Sequence, residues 1–421
     1  MSELKVLVVG ASIAGPTAAY WLAKAGANVT IVERFPKLRT SGQNIDIRTA
    51  GVTVMRKMPR METAVRAKMT QIEGISFVRD NGRPYATIKA TGNPDQQSLV
   101  SEYEIFRGDL AQILFDLTKD NESIKYVFGE QVASMQQNEN DNGPVTVEFA
   151  NGLPTSEYDL VVACDGATSR TRAIGLGCGV RDHIQPTNCW AASFSIEQDL
   201  LEGSKMAQSY SATGGRFFAV GPDPSGVTRV TLMAIHPRDG CDATLLFREA
   251  MKQGDDALKH FVAQHHKGAG WKADKVVKGM MEAGDFYANE IVQVKTPSLY
   301  KGRFVLVGDA GYAPSFTGTG TTLAIAGAYV LAGEVGKHKG NLAAGLRGYE
   351  ERMRPIIHDM QKVPPLIPTI FAPQTAWGIW LRNNIFALIT WTRILEFAQE
   401  FFASSFASTD KYGLPEYEWV A

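Results

Sequence analysis

The stretch that decides the fold is Leu4-Lys5-Val6-Leu7-Val8-Val9-Gly10-Ala11-Ser12-Ile13-Ala14-Gly15. Its first six residues are mostly apolar and rich in valine, which predicts a buried strand from Leu4 to Val9. Helical spacing follows, and Asn28 to Glu33 reads as a second strand, so the chain opens as a β-α-β unit. The residues that carry the helical spacing are Ala14, Ala18, Leu22 and Ala25.

The turn between the first strand and the helix matches the dinucleotide fingerprint G-x-G-x-x-G, with Ser12 in place of the middle glycine. A sharp turn at Gly10 lets a pyrophosphate approach the helix N-terminus, and Gly15 lets helix and sheet pack closely. A glycine turn that serves packing alone is the alternative. Glu33 at the end of the second strand favours the dinucleotide, because its carboxylate can accept hydrogen bonds from a ribose diol. The candidate cofactor-binding residues here are Gly10, Ser12, Ile13, Ala14, Gly15, Glu33 and Arg34.

Length and composition set the broad class of the protein. With 421 residues the chain is long enough for two interwoven domains and an appendage. Lys+Arg of 43 against Asp+Glu of 44 leaves a net charge of -1, without a run of like charges, which argues against nucleic acid as a partner. Four scattered cysteines indicate neither a disulfide framework nor a zinc site. The start of the chain leaves no room for a signal peptide, so we expect a cytoplasmic protein.

The longest apolar region runs from Phe371 to Phe402, but charged residues interrupt it well short of the roughly 20 residues that span a membrane. Helical spacing within it predicts a face packed on the protein's own core, with a face resting on a membrane as the alternative. The residues on that face are Leu381, Ile385, Leu388, Trp391 and Leu395.

The rest of the chain alternates between the nucleotide-binding part and a second, sheet-rich part. Extended signals from Ile124 to Ala163, with a turn at Asn151-Gly152, lead back to the nucleotide part. Longer strands rich in aromatic residues between Thr187 and Pro237 indicate an inserted sheet on the substrate side. A strand from Phe304 to Val307 and a helix from Thr322 to Lys337, rich in small residues, complete the pattern.

Three later motifs add to the fingerprint. Asp165 to Arg172 follows a predicted strand and resembles the D-G-x-x-S-x-x-R element of flavin hydroxylases. Gly308-Asp309 and the helix-opening turn from Gly318 to Thr322 resemble the G-D element, in which an aspartate holds the FAD ribitol and a helix N-terminus faces the flavin. Arg107 fits the arginine that contacts the cofactor in these enzymes, although an arginine that merely starts a surface helix is the alternative.

With these four elements in order, the chain from Val6 to Glu334 resembles the aromatic-ring hydroxylases, the class A flavoprotein monooxygenases typified by para-hydroxybenzoate hydroxylase. The resemblance implies an α/β fold in which a Rossmann-like FAD-binding domain is interrupted by a β-sheet substrate domain and followed by C-terminal helices. We expect the FAD-binding domain at 1–73, 103–173 and 285–340, the substrate domain at 74–102 and 174–284, and the C-terminal helices at 341–421. The further cofactor-binding residues that the resemblance implies are Gln43, Arg107, Asp165, Asp309, Gly318, Gly320, Thr321 and Thr322.

The family's activity gives the expected function. The resemblance implies that NADPH or NADH reduces FAD, that O2 forms a flavin C4a-hydroperoxide, and that a hydrophobic, aromatic or polycyclic substrate is hydroxylated or epoxidised without a metal. An FAD-dependent reductase or oxidase on the same fold is one alternative, and a non-catalytic escort protein is another. The sequence leaves substrate identity, the choice of nicotinamide and the oligomeric state open.

Catalytic groups are harder to assign. Alternation along Gly42 to Arg48 puts Asp46 and Arg48 on one face of a strand, where they could poise a proton transfer or form a plain exposed ion pair. Tyr210 is a third candidate. We expect each large side chain of the inserted sheet to fill core rather than line a pocket, and His265-His266 to be a solvated pair. The sheet residues considered are Trp190, Ser193, Ser195, Tyr210, Phe217, Phe218, Met233 and His236.

The sequence departs from the family pattern beside the G-D element. Tyr312 stands where many members have histidine, and the link from Pro314 to Thr317 is about a residue shorter than usual. We therefore expect the surroundings of the flavin edge to differ here.

Overall fold

The computed structural model of the protein describes residues 4–40, 42–70, 72–90, 103–137, 143–237, 241–363, 370–391 and 412–420. The strands are β1 Leu4–Val9, β2 Ala27–Glu33, β3 Asn44–Asp46, β4 Gly74–Val78, β5 Pro84–Lys89, β6 Glu104–Phe106, β7 Ile124–Phe128, β8 Val132–Gln136, β9 Val145–Phe149, β10 Ser156–Tyr158, β11 Leu160–Ala163, β12 Ile184–Ile196, β13 Met206–Ala212, β14 Arg216–Pro222, β15 Thr228–Ile235, β16 Tyr287–Val294, β17 Tyr300–Lys301 and β18 Phe304–Leu306. The helices are α1 Ala14–Lys24, α2 Ala50–Lys57, α3 Met61–Arg66, α4 Arg107–Asp116, α5 Arg170–Leu176, α6 Leu245–Gln253, α7 Asp255–His266, α8 Ala273–Glu282, α9 Asp309–Tyr312, α10 Gly320–Lys337, α11 Leu342–Met360 and α12 Ala376–Trp391.

A six-stranded sheet in the order β17-β18-β11-β1-β2-β7 forms the nucleotide-binding part. Its strands pair in parallel except for β17, and β1 pairs with β2, as the opening β-α-β unit predicted, and with β11 on its other side. The carboxyl ends of parallel strands meet at one edge of a sheet. The turns after β1, β2, β11 and β18, which carry the sequence motifs, therefore lie side by side.

Glycine is required at two points in the first of these turns. Gly10 has a φ of +108°, and a β-carbon there would lie 2.6 Å from the carbonyl oxygen of Cys164. A β-carbon at Gly15 would lie 1.8 Å from the carbonyl oxygen of Gly10. Because both contacts involve backbone atoms, the close packing of β1, α1 and β11 depends on these two glycines.

Helix α10 runs through the interior of this part of the molecule, and nearly all its residues are buried. It packs against α1, α2 and α11. The chain near residue 417 covers its far end, where the Tyr417 hydroxyl donates to Glu334 at 2.7 Å and the Trp419 ring packs on Trp21. A helix that is apolar on all sides is typical of a central core element.

A seven-stranded sheet in the order β16-β12-β15-β14-β13-β4-β5 forms the second part. Helices α6, α7 and α8 cover one of its faces. We predicted that the chain from residue 285 belongs to the FAD-binding domain, but β16 (Tyr287–Val294) pairs with β12 along the edge of the seven-stranded sheet. That part of the prediction is wrong, because the strand's hydrogen bonds tie it to β12. The rest of the proposed domain division stays a prediction.

The C-terminal helix α12 packs through a different face from the one we predicted. Ile385 and Leu388 are 45% and 59% exposed, whereas Arg382 and Asn383 are buried. The Arg382 guanidinium donates to the Ser211 hydroxyl at 2.9 Å and to the carbonyl oxygen of Phe371 at 3.1 Å. Hydrogen bonds of a buried arginine therefore orient this helix. Leu395 and the side chain of Trp391 lie outside the described residues.

Candidate active site

The turn before α1 is held by charged groups at the edge of the six-stranded sheet. Glu33 accepts hydrogen bonds from the backbone N–H of Ala11 at 2.9 Å and of Phe35 at 3.1 Å. Arg107, the first residue of α4, donates to the Ser12 hydroxyl at 2.9 Å. Neither Ile13, the N-cap of α1, nor any acidic residue in the first turn caps that helix with a side chain. The N-terminus of α1 therefore presents backbone donors and a positive dipole end to an anion.

Asp309 and the start of α10 form the other half of the site. The Asp309 side chain is solvent-accessible, yet desolvation raises its pKa while Arg107 lowers it. A carboxylate on the floor of a cleft combines these two properties, because it is open to solvent and has many protein atoms around it. A β-carbon at Gly320 would lie 3.5 Å from the Asp309 Oδ1 atom, so this carboxylate faces the first turn of α10.

The D-G-x-x-S-x-x-R motif has a structural role. Ser169 is the N-cap of α5, and the Asp165 carboxylate supports this cap by accepting from the Ser169 hydroxyl at 2.5 Å and from the backbone N–H of Thr171 at 3.1 Å. Buried Arg172 donates to the carbonyl oxygen of Ala310 at 2.7 Å, which ties this motif to the residue after Asp309. That Asp165 also binds the cofactor stays a prediction, since these hydrogen bonds do not test it. Through Arg172 the motif also positions the neighbouring Gly308-Asp309 turn.

The packing of strand β3 shows which face of the segment from Gly42 to Arg48 is turned toward the site. Ile45 and Ile47 pack into the hydrophobic core, so the alternate residues point the other way. Asp46 Oδ2 lies 3.6 Å from the position of a β-carbon at Gly318, and Thr322 exchanges hydrogen bonds of 3.0 Å with the backbone of Arg48. Asp46 and Arg48 do form an ion pair at 2.9 Å, but it is largely buried beside α10 rather than exposed.

Two of the six non-glycine residues with a positive φ among the described residues lie near the same helix terminus. Thr49 and Ser315 have φ values of 40° and 74°, which side chains other than glycine rarely adopt. Among the described residues the buried Ser315 hydroxyl has no hydrogen-bond partner. Strained residues and unsatisfied polar groups cluster at functional sites. Thr317 and Thr319 bond to each other at 2.7 Å across this short loop.

Tyr312, the departure from the family pattern, lies away from the cleft. It is fully buried, and its hydroxyl pairs with that of Tyr349 at 3.1 Å, which in turn donates to the carbonyl oxygen of Leu306. A β-carbon at Gly327 would collide with the Tyr312 hydroxyl, so glycine makes room for the ring in α10. Tyr312 therefore braces α10 against β18.

Alternation along the seven-stranded sheet separates its residues into two groups. Trp190, Tyr210 and Phe218 lie on the face covered by α6, α7 and α8, as the core interpretation predicted. The Tyr210 hydroxyl donates to the carbonyl oxygen of Ala269 at 2.9 Å, on the side of the sheet away from Asp46, which contradicts its candidacy as a catalytic group. His266 is buried in the same core, and burial lowers its pKa to about 3, so the solvated pair is also wrong. The reason is that His266 belongs to the inward face of α7.

The other face of this sheet is turned toward the site. Cys189, Ile235 and Ala372 form a small buried apolar cluster on it, and Phe316 from the loop before α10 packs against this cluster. Ser193 and Thr231 bond to each other at 3.1 Å on this face, and Gln43, Asn44 and Phe106 border the same cleft. The Phe217 ring contacts Phe371 at a centroid distance of 6.2 Å. The open face thus combines apolar side chains with a few hydroxyl groups. The remaining open-face residues that pack there are Met233 and Ile291.

FAD fits the residues that line this edge of the molecule. The backbone at Gly10 leaves no room for a β-carbon, and the first turns of α1 and α10 carry no acidic residue. The buried Ser315 hydroxyl has no hydrogen-bond partner among the described residues. A dinucleotide needs donors for its pyrophosphate and acceptors for its ribose and ribitol hydroxyl groups. Both kinds of group are present, at α1 and at Glu33 and Asp309.

Sequence reasoning missed three residues of this site. Arg172 reaches Ala310, Glu104 lies opposite Asp46, and Ser315 carries the strain before α10. Arg172 has a signal in the sequence, because it is the last residue of the D-G-x-x-S-x-x-R motif. The register of β3 against β6 and the φ of Ser315 have no signature in one sequence.

Known proteins are similar to this chain over nearly its whole length. Residues 3–362 match the family described as FAD binding domain. The chain is 34% identical over 418 residues to the FAD-dependent monooxygenase asL4 of Sarocladium schorii, covering 94% of each, and 32% identical over 429 residues to Monooxygenase CTB7 of Cercospora beticola, covering 99% of this chain and 98% of that protein. The crystal structure of tetracycline destructase Tet(51) is similar at a TM-score of 0.76 and 27% identity, covering 99% of this chain and 100% of that one. Within the described ranges no helix has the length and apolar character needed to cross a membrane.

Proposed function

This chain belongs to the FAD-binding-domain family and is a flavin-dependent monooxygenase, and from that premise we propose that it uses NADPH or NADH and O2 to oxygenate a hydrophobic, aromatic or polycyclic small molecule. One observation carries the proposal. The loop before α10 joins the two parts of the molecule, because its Phe316 packs against the open face of the seven-stranded sheet and its Gly318 lies next to Asp46 of the Asp46–Arg48 pair. An oxygenase needs its cofactor and its substrate to meet in such a place.

The chain's own residues would hold FAD at both ends. Glu33 and the N-terminus of α1 suit the adenosine ribose and the pyrophosphate, while Asp309 suits the ribitol. Arg107 lies between these ends, since it donates to Ser12 and also lowers the pKa of Asp309. When bound, FAD supplies electron transfer and oxygen activation. The positive end of the α10 dipole would favour negative charge on its pyrimidine side.

The open sheet face would seat the substrate. Phe217, Met233 and Phe316 offer apolar contact, and the hydroxyl groups of Ser193 and Thr231 offer a few polar contacts. Sites for small molecules are mostly apolar with a few placed polar groups. The name of the tetracycline destructase structure supports a polycyclic substrate, because tetracyclines have fused rings.

The Asp46–Arg48 pair would handle the proton that oxygen transfer requires. Arg48 holds the Asp46 carboxylate through Nε at 3.2 Å and Nη2 at 2.9 Å, so a proton arriving at Asp46 Oδ1 would not break that contact. Both side chains of the pair are mostly buried. Desolvation strengthens such interactions.

The first experiment is a visible spectrum of the purified protein, followed by anaerobic addition of NADPH and then NADH. We expect a flavin spectrum that either nicotinamide bleaches, faster in the presence of a suitable aromatic compound. Turnover under ¹⁸O2 should then place one labelled atom in the product. Bleaching without label in any product would favour a reductase or oxidase, and a colourless protein that FAD cannot reconstitute would favour an escort protein.

A further inference from the structure

Two carboxyl groups face each other across the small ribbon that β3 forms with β6. In the antiparallel register Asp46 lies opposite Glu104, and Asn44 lies opposite Phe106. The Asn44 side-chain amide also donates to Glu104 Oε1 at 2.8 Å. Since Ile45 and Ile105 face the hydrophobic core, both acids lie on the other face of the ribbon.

This ribbon connects two elements of the proposed FAD site. At one end the backbone N–H of Arg107 donates to the carbonyl oxygen of Gln43 at 3.0 Å, and Arg107 in turn reaches Ser12. At the other end Asp46 faces Gly318 in the turn before α10. Any change in the pairing of β3 with β6 would therefore move groups at both ends of the cofactor.

The two acids differ in their partners. The Arg48 guanidinium donates two hydrogen bonds to Asp46 and balances its charge. Glu104 instead accepts a hydrogen bond from the neutral side-chain amide of Asn44. Desolvation and then the charge of Asp46 raise the pKa of Glu104 to about 7, against the smaller lowering effects of Asn44, Thr70 and Arg48. The α10 turn that Asp46 faces contributes threonines and glycines, which do not titrate near neutral pH. Like charges directly opposite each other destabilise a strand pair.

We propose that Glu104 is a positioning residue of the FAD site that, as a neutral acid, keeps β3 paired with β6, and that its ionisation places a second negative charge opposite Asp46 and weakens FAD binding. This inference rests on the proposed function for the identity of the ligand. FAD carries a diphosphate, so its binding should favour the protonated form of Glu104. Binding should therefore weaken as the pH rises.

The test measures the dissociation constant of FAD by quenching of flavin fluorescence on reconstitution, from pH 6 to pH 8.5. A difference of one unit in the pKa of Glu104 between free and bound protein gives at most a tenfold change, so we expect the wild-type constant to rise by about threefold to tenfold. Glu104→Gln keeps a partner for Asn44 and should bind tightly at both pH values. Glu104→Ala loses that partner and should bind weakly at both. Glu148→Gln, an exposed acid on β9, should behave as wild type.

A pH dependence that survives in Glu104→Gln, or that is absent from wild type, would overturn the inference. Thermal unfolding of the FAD-free protein tests it without the ligand. The raised pKa means that ionisation of Glu104 opposes folding, so Glu104→Gln should raise the melting temperature strongly at pH 8.5 and much less at about pH 4, below the ordinary pKa of 4.5, where the carboxyl group is mostly protonated in both states. Equal shifts at both pH values would contradict the inference. If FAD fails to bind at every pH while this difference appears, the proposed function fails and the role of Glu104 in the ribbon stands.

Discussion

Two helices of this protein begin after glycine-containing turns, and the turns are built differently. Before α1, β-carbons at Gly10 and Gly15 would lie 2.6 Å and 1.8 Å from backbone carbonyl oxygens. Before α10, β-carbons at Gly318 and Gly320 would lie 3.6 Å and 3.5 Å from the nearest atoms of other described segments, and those atoms belong to the carboxylates of Asp46 and Asp309. The turn before α1 is tightly packed against backbone atoms, whereas the turn before α10 has free space next to the carboxylates of Asp46 and Asp309.

The difference shows that similar glycine patterns answer different physical needs. At α1 glycine permits close packing of helix and sheet, so this turn acts as a rigid anchor. At α10 it leaves room at a helix terminus beside strained residues and titratable groups. Binding affinity should thus depend most on the first turn, and flavin reactivity on the second.

Gly15→Ala should have the largest effect. Its β-carbon would force apart α1 and the Gly10 turn, which we expect to destabilise the protein by about 3 kcal/mol and to weaken FAD binding by about a hundredfold. Chemical denaturation and flavin titration measure the two effects. The matched variant Gly320→Ala should fold as wild type and bind FAD within about threefold, with a changed rate of flavin reduction. Similar losses in both variants would erase the contrast between the turns.

Asp309→Asn should come next. Loss of the charged acceptor should weaken FAD binding by about tenfold. Because the pKa of Asp309 is raised, its ionised form lowers the free energy of unfolding at neutral pH. This loss of stability disappears as the pH falls through that pKa. The FAD-free variant should therefore melt higher than wild type at pH 7, with a smaller difference at pH 4. A variant that loses stability at pH 7 would show that the carboxylate is not desolvated.

Arg107→Ala tests the link between the turns. Removal of its hydrogen bond to Ser12 should weaken FAD binding by about tenfold, since charge-assisted bonds to a site are among the stronger ones. Arg83→Ala is the matched control, because Arg83 is exposed in the turn between β4 and β5 and belongs to no part of the proposed FAD site. We expect it to stay within about twofold by flavin titration. Equal effects would mean that charge alone, without geometry, governs binding.

Gly318→Ala should have the smallest effect. Its φ of +74° strains any residue with a β-carbon, at about 1 kcal/mol, although space is available. Differential scanning calorimetry should record a lower melting temperature than for Gly320→Ala, whose backbone is helical. A drop as large as that of Gly15→Ala would indicate that the second turn is also closed.

Much of this arrangement could be predicted from local patterns. The opening β-α-β unit and the glycine turn after β1 were predicted and are present, because parallel strands bring their following turns together. The binding of the cofactor by Glu33, Arg107 and Asp309 stays a prediction. The errors arose where a residue's partner is distant in sequence. The catalytic candidacy of Tyr210 was wrong because strand alternation defines two faces of a sheet without showing which face helices cover. The domain assignment of β16 was wrong because one sequence does not show which strand it pairs with at the edge of a sheet.

The sequence by itself therefore determined the β-α-β opening, the glycine positions and the cofactor class, since these depend on backbone sterics and on groups a few residues apart. Tertiary structure alone decided that Asp46 faces Glu104, that the Asp165 carboxylate supports the start of α5, and that Arg382 orients α12 through hydrogen bonds to carbonyl groups. Those outcomes depend on register and burial, which arise only when distant segments compete for the same hydrogen bonds and the same apolar surface.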